Sequence, residues 1–314
     1  MTSDQPLVSV IIPAYNHGPF VGAAVESALG QTHSHLEVIV VDNYSSDNTA
    51  TVLAGIQDER LRVFQFNNQG VIAAGRNFGA KQARGSILAF LDSDDVWMPE
   101  KLKTQLPHLA DPTVRCVGTD SVTIGDTRYY RKRIFFGARA AYRDYTIEDI
   151  ARRNPMVLSS SLIRASDFWE AGGFDECTDY VCIEDWALWL RLAQSGRIRV
   201  LTEPLIAYRA FLNKGRDRRP AAFGALKLLD KYSNLLSPSS LKQAYGSRYL
   251  EIGKACLKHN DMRAWKFLYK TIWMPVGVQD RISAIGGVFV CCTPHQIRRL
   301  CIDLYRYIPF VVRR

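Results

Sequence analysis

The sequence predicts an α/β fold: an open, mostly parallel sheet flanked by helices, followed by a C-terminal α-helical extension. Three observations carry that expectation. Wholly apolar, β-branched runs alternate with segments of helical period between residues 7 and 91, the pattern of strands covered on both faces by crossover helices. The connections are short, which favours successive β-α-β units. Two of the runs end in aspartate, at Asp42 and Asp92, and ligands of such sheets bind outside the carboxyl ends of the strands.

Each element follows from its residues. Leu7–Pro13 (LVSVIIP) is a buried strand stopped by proline. Pro19 stands where a helix starts, and Phe20, Ala23, Ala24, Ser27 and Ala28 recur at helical spacing, so residues 19–31 read as a helix on the sheet. Leu36–Val41 is the second strand, residues 48–57 a short helix and Arg62–Gln65 a third strand. Val71–Arg84 is helical, and its small residues, among them Gly75 and Gly79, permit close packing. Ile87–Leu91 (ILAFL) is the fourth strand. Beyond residue 112 the pattern loosens into further strands and a basic loop at Arg131, Lys132 and Arg133 over residues 113–136. Glu184–Ala193 is a strong helix whose Trp186 and Trp189 are expected in the core, and Val200–Tyr208 is a last strand. After the polar GRDRRP stretch at 215–220, Ser240–His259 and Asp261–Trp273 form an αα-hairpin joined at Asn260. Residues 295–308 read as an amphipathic basic helix.

The 314 residues, 47% hydrophobic and 23% charged, describe a globular chain with room for one large α/β domain and a smaller appendage. Seven cysteines, an odd number without a CxxC pair, suggest free thiols in a reducing compartment rather than disulfides or zinc. The N-terminal MTSDQPLVSVIIP lacks the features of a signal peptide. The apolar run from Ile282 to Cys292 is too short to cross a bilayer. A cytoplasmic protein is expected. The net charge of +9 is uneven: residues 1–112 hold 7 Lys/Arg against 12 Asp/Glu, and residues 239–314 hold 13 against 4. A basic C-terminal region fits an anionic surface or acceptor, or a merely solubilising face.

Two acidic segments carry chemistry. DNYSSDNT at 42–49 places a carboxylate on a strand end, where it can accept from a nucleobase N–H; alone, it is equally an Asx-turn with a helix cap. LDSDDVW at 91–97 crowds Asp92, Asp94 and Asp95 into four residues. Carboxylates this close repel unless a cation or donors offset them. A hard cation takes oxygen ligands, often one or two carboxylates plus substrate phosphates.

Together with PAYN (13–16), GRNFGAKQARGSILAFLDSDD (75–95), GGFDE (172–176) and IEDWALWLRL (183–192), these segments closely resemble the family 2 glycosyltransferases. The resemblance covers residues 7–212. It implies the GT-A fold, with a glycosyltransferase domain at 1–215, its nucleotide-sugar half at about 1–112 and its acceptor half at about 113–215; the helical pattern and basic charge beyond it add a helical basic region at 216–314. It implies transfer of a single sugar from a nucleotide-diphosphate sugar, with a UDP-linked donor expected, to a saccharide or lipid-linked hydroxyl acceptor in polysaccharide, glycolipid or cell-envelope glycan synthesis. Residue by residue, it implies that Pro13, Tyr15 and Asn16 line the base and ribose pocket, that Asp42 accepts from the base, and that Arg76 reaches the nucleotide. Asp92 lies near the ribose, Asp94 holds Mn²⁺ or Mg²⁺, and Asp185 is the catalytic base. One base with in-line attack inverts the anomeric centre.

Two departures stand out. Many relatives carry a histidine two residues after the YR dipeptide that follows the last core strand; here Phe211 stands there, with Asn213 as a polar substitute. The QxxRW motif of processive relatives is missing, since QIRRL at 296–300 lies far beyond Asp185 and lacks the tryptophan. A non-processive enzyme is expected. His33 and His35 are expected to be solvated, and Trp97 stays open between core and acceptor cleft. A nucleotide-sugar-binding protein without turnover remains the alternative. Nucleic acid is not expected as a partner, because the basic region carries no recognised motif, and no GxGxxG follows the first strand. The C-terminal region, through Ile308, Phe310, Val311, Arg313 and Arg314, is expected to contact the inner face of the cytoplasmic membrane peripherally.

Overall fold

The computed structural model describes residues 5–125, 140–178, 183–210, 217 and 219–292. The expectations for Arg131–Arg133, Phe211, Asn213, residues 295–308 and the C-terminal tail lie outside them. The described strands are β1 (Val8–Ala14), β2 (Leu36–Asp42), β3 (Leu61–Gln65), β4 (Ile87–Phe90), β5 (Val96–Trp97), β6 (Val114–Gly125), β7 (Tyr142–Tyr145), β8 (Leu162–Arg164) and β9 (Arg197–Ala210). The described α-helices are α1 (Gly18–Leu29), α2 (Thr49–Ala54), α3 (Ile72–Gln82), α4 (Lys101–Gln105), α5 (Ile147–Arg152), α6 (Ala165–Glu170), α7 (Glu184–Leu192), α8 (Arg219–Lys231), α9 (Pro238–Lys258), α10 (Ala264–Ile272) and α11 (Val278–Cys292).

The chain divides into two units. The first spans residues 1–150, 154–178 and 184–214, and the second 151–153, 179–183 and 215–314. One sheet runs through the first unit in the order β3-β2-β1-β4-β8-β6-β9-β5, with β7 on β9. Its first four strands are parallel, as the apolar runs predict. The expected mostly parallel sheet is corrected beyond β4: β8 is antiparallel to both β4 and β6, and β9 is antiparallel to β5 and β7 but parallel to β6. The sheet is therefore mixed. A strand covered on both faces reads as the same apolar run in either direction, so periodicity cannot report its sense.

β1 and β2 are buried along their whole length. α3 lies close on them, because a Cβ at Gly79 would stand 2.6 Å from Ile11 Cγ2 and 3.1 Å from Val41 Cγ2. Glycine there lets helix and sheet approach, despite its cost in a helix interior. Trp186 and Trp189 are buried as expected, with Trp186 Nε1 donating to Ile150 O at 2.7 Å. Trp97 is also buried, and its indole N–H donates to Ser159 O at 2.7 Å, so it belongs to the core rather than to a cleft. His33 corrects the solvated reading: it is buried, with Nε2 3.0 Å from Pro6 O and 3.1 Å from His35 O.

The second unit is helical. Pro238 starts α9, and Ser237 caps it by accepting from Ser240 N–H. α9 and α10 meet at Asn260, whose φ of 53° closes the turn as asparagine tolerates. Leu250, Cys256, Leu257, Leu268 and Ala284 form its core, with Phe223 and Phe267 packed against them.

Candidate active site

The strand register builds the site. Pairing Ala14 with Asp42 and Ile11 with Phe90 aligns the carboxyl ends of β1, β2 and β4. Residues 13–16, 42–47 and 92–95 therefore leave the sheet side by side at the edge where such sheets collect ligands.

The first two loops hold each other. Asn16 N–H donates to Ser45 Oγ at 2.9 Å, and Ser46 N–H donates to Asn16 Oδ1 at 2.8 Å. Asp42 is buried and accepts from the backbone N–H and the hydroxyl of Ser45, so the Asx-turn and the candidate base contact are one structure. Asp47 accepts from Gly18 N–H at 3.0 Å and Thr49 N–H at 2.9 Å, pinning the start of α1 to the second loop. A Cβ at position 18 would stand 1.9 Å from Asn48 Oδ1, so a larger residue there would have to displace the Asn48 side chain. Asn16 (φ 51°) and Tyr44 (φ 53°) take left-handed backbone, which asparagine tolerates and a bulky residue adopts at a cost. The rings of Tyr15 and Tyr44 are exposed beside this strained turn, while Pro13 is buried within β1.

The three aspartates after β4 have three different fates. Asp92 accepts from Arg76 Nη2 at 2.7 Å, and its own N–H donates to Ser159 Oγ at 3.0 Å. Asp95 is 1% exposed and accepts from Ser159 Oγ at 2.5 Å and Arg209 N–H at 2.7 Å, tying the turn to β9. Burial, and then the charge of Asp92, push its carboxyl up to about 8. Asp94 is also pushed up, first by burial and then by Asp92, against the opposing effect of His17 and Arg209.

Arg76 is 2% exposed and joins two distant motifs: Nη2 meets Asp92, and Nη1 meets Glu184 Oε1 at 2.6 Å. Burial alone would lower its pKa, but the charges of Asp92 and Glu184 raise it. Both of its Nη atoms are engaged by carboxylates. It thereby sets the aspartate turn beside the start of α7. There Asp185 is half-buried, accepting from Asn154 Nδ2 at 2.8 Å and Trp186 N–H at 2.6 Å. Burial, and then the neighbouring charge of Glu184, push its carboxyl up to about 7. That is the range in which a general base works at neutral pH.

Neighbouring motif residues turn out to be braces. Asn77 donates to Phe174 O at 2.9 Å and Glu176 Oε1 at 2.8 Å, and accepts from Phe174 N–H. Arg191 donates to Ala171 O and Gly173 O, fastening α7 to the GGFDE turn.

The sequence reading missed His17, Arg209, Asn154 and Ser159. His17 Nδ1 lies 2.7 Å from Ser93 Oγ, between the two candidate aspartates. Arg209 Nε donates to Asp94 O at 2.8 Å. Their signals were adjacency to PAYN and membership of the YR dipeptide; nothing in the sequence brings them to the same turn.

The profile of glycosyl transferase family 2 matches residues 9–168, half of the chain. The chain belongs to glycosyl transferase family 2. Membership makes it a glycosyltransferase, moving a sugar from a nucleotide-sugar donor to an acceptor. It is 30% identical over 197 residues to WfaP of Escherichia coli, a UDP-Glc:α-D-GlcNAc-diphosphoundecaprenol β-1,3-glucosyltransferase, covering 60% of this chain and 71% of WfaP. It is 41% identical over 113 residues to TuaG of Bacillus subtilis (strain 168), named for teichuronic acid biosynthesis, covering 35% of this chain and 45% of TuaG. The family fold recurs in the crystal structure of S. aureus TarS 1–349 with UDP-GlcNAc, at a TM-score of 0.62 and 20% identity, covering 98% of this chain and 91% of that one. It recurs also in the mannosyltransferase PcManGT from Pyrobaculum calidifontis with GDP-Man and Mn²⁺, at a TM-score of 0.61 and 20% identity, covering 97% and 85%.

Proposed function

We propose that this transferase is inverting and non-processive, and that it adds one sugar from a UDP-linked donor to a hydroxyl of a lipid-linked or saccharide acceptor in cell-envelope glycan synthesis. One observation carries the reading. A single buried guanidinium, Arg76, holds the aspartate turn and the Glu184-Asp185 pair together, so a leaving-group site and a poised base share one cleft edge.

The exposed rings of Tyr15 and Tyr44 offer flat faces to a base, and Asp42 offers an acceptor to its N–H. Among the described residues no group of three or more His, Cys, Asp or Glu could hold a metal ion. The Asp94 carboxylate would hold Mn²⁺ or Mg²⁺ only together with donor phosphates, since such ions take one or two carboxylates and complete their shell from substrate. When bound, the cation would offset charge on the departing diphosphate. His17 and Arg209 flank the same turn.

Asp185 receives the proton of the acceptor hydroxyl. Asn154 and the Trp186 N–H fix its carboxylate, which leaves it positioned before the acceptor arrives. The names of WfaP and WfgD specify UDP-Glc donors, diphosphoundecaprenol-linked acceptors and β products, which support the donor class, a lipid-linked acceptor and inversion. Among the described residues no helix is long and apolar enough to cross a membrane. We place the enzyme on the cytoplasmic side, where it meets a lipid-linked acceptor peripherally.

The test is transfer by the purified chain across a panel of nucleotide-sugars with Mn²⁺ or Mg²⁺. Asp94→Ala should abolish metal-dependent UDP binding by calorimetry, and Asp185→Asn should abolish transfer while UDP binding stays. Transfer insensitive to both substitutions overturns the assignment.

A further inference from the structure

The helical unit carries a surface that the chemistry above does not use. On α11, Val278, Ile282, Ile285 and Phe289 follow one another at four, three and four residues, a single helical stripe. All four are exposed, Val278 at 76% and Phe289 at 70%. The opposite side of α11 supplies Ala284, Val290 and Cys291 to the core. α10 repeats the arrangement: Trp265 and Tyr269 lie four residues apart, Trp273 follows four residues later at its C-cap with 73% exposure, and Leu268 and Ala264 face the core. Tyr269 and Trp273 meet edge to face at 6.1 Å.

Exposed apolar residues scattered singly need no explanation, but two stripes on adjoining helices do. Their composition points to one partner. Tryptophan and tyrosine have an apolar body and a polar edge, and they collect where a bilayer meets water. Lys266, Lys270 and Arg281 are the cations of the two helices, and Asp280 is their only acid. The wider segment 239–314 holds 13 Lys/Arg against 4 Asp/Glu. A second copy of this chain would bring like charges together on the same face, whereas an anionic lipid surface offsets them. The 15 described residues of α11 are too few to span a bilayer, yet they suit an apolar face sunk into the headgroup boundary.

We propose that the outward faces of α10 and α11 dock on an anionic lipid surface, with Trp265, Trp273, Ile282 and Phe289 entering the headgroup region and Lys266, Lys270 and Arg281 meeting lipid phosphates. The surface stands whether or not the acceptor proposed above is lipid-linked.

The experiment is flotation of the full chain with phosphatidylcholine vesicles, with and without phosphatidylglycerol, at low and high salt, alongside quenching of tryptophan fluorescence by brominated lipid. Wild type should bind the anionic vesicles at low salt, bind less at high salt, and be quenched. Trp273→Ser with Phe289→Ser should weaken binding about tenfold or more, with an unchanged Tm and unchanged UDP binding. Lys266→Gln with Lys270→Gln should lose most of the difference between anionic and neutral vesicles. A wild type that ignores vesicles, or a Trp273/Phe289 variant that binds as well as wild type, overturns the proposal. So does a dimer in sedimentation that the same variant dissolves without any vesicle binding by wild type.

Discussion

The two units break the rule of apolar inside and charged outside in opposite directions. In the first, Arg76 and Asp95 are almost wholly buried, and Asp185 is held by surrounding donors until burial pushes its carboxyl up to about 7. In the second, Trp273, Val278 and Phe289 stand largely in solvent. Buried charge is costly unless paired, and exposed apolar stripes are costly unless covered. We read each departure as the place where a proposed partner completes the molecule: a charged ligand with a proton to move in one unit, an apolar-and-anionic surface in the other.

The largest effect expected from breaking this comparison is at the base. Asp185→Asn keeps the shape and loses the proton acceptor, so kcat should fall by about 10²–10⁴ with UDP affinity retained. The same group sets the pH profile. Its ionised form is the base, so kcat/KM should drop about tenfold per pH unit as pH falls below about 7 and level off above it; a flat profile through that range would remove Asp185 from the role.

Next comes the bridge. Arg76→Met leaves Asp92 and Glu184 without their shared cation and should cost about 3–5 kcal/mol in urea unfolding; a variant as stable as wild type would show that the bridge does not organise the site.

Within the aspartate turn, Asp94→Asn and Asp95→Asn should separate. The first should weaken divalent-dependent UDP binding, while the second leaves the Ser159 and Arg209 contacts achievable and mainly changes the pH dependence of stability. The Asp95 carboxyl titrates at about 8 in the folded chain, above its ordinary value near 3.8. Its contribution to stability is therefore complete below about pH 4 and lost as pH rises through about 8, a decline that Asp95→Asn should flatten in metal-free melts.

The smallest expected effect is at Lys101. It is buried against the Trp97 ring at 3.8 Å, its Nζ has no hydrogen-bond partner among the described residues, and burial pushes its pKa well below the ordinary value. Lys101→Met should raise stability by about 1 kcal/mol, and a lower Tm would mean that the ammonium is satisfied.

Much of the nucleotide half was legible because its signals are local. Apolar runs located β1, β2 and β4, the small residues of α3 anticipated its close approach at Gly79, and Asn260 marked the α9–α10 turn. Trp186 and Trp189 were readable as core from helical spacing. Legibility failed where the deciding contact is distant in sequence. The motif around Arg76 gives no sign of its ion pairs, whose partners are 16 and 108 residues away. His17 meets Ser93 across 76 residues, and Arg209 meets Asp94 across 115. His33 was misplaced and Trp97 left open because an aromatic or imidazole beside a polar turn carries no mark of its burial.

By itself the sequence determined which residues could do chemistry and on which strand ends they sit, because periodicity and side-chain type are properties of neighbours along the chain. Only the tertiary structure decided the sense of the later strands, which distant donors hold Asp92 and Asp95, and that α10 and α11 keep their aromatic and aliphatic stripes outside. Those outcomes depend on desolvation and pairing between segments far apart in the chain, and such energies exist only once the fold has brought the segments together.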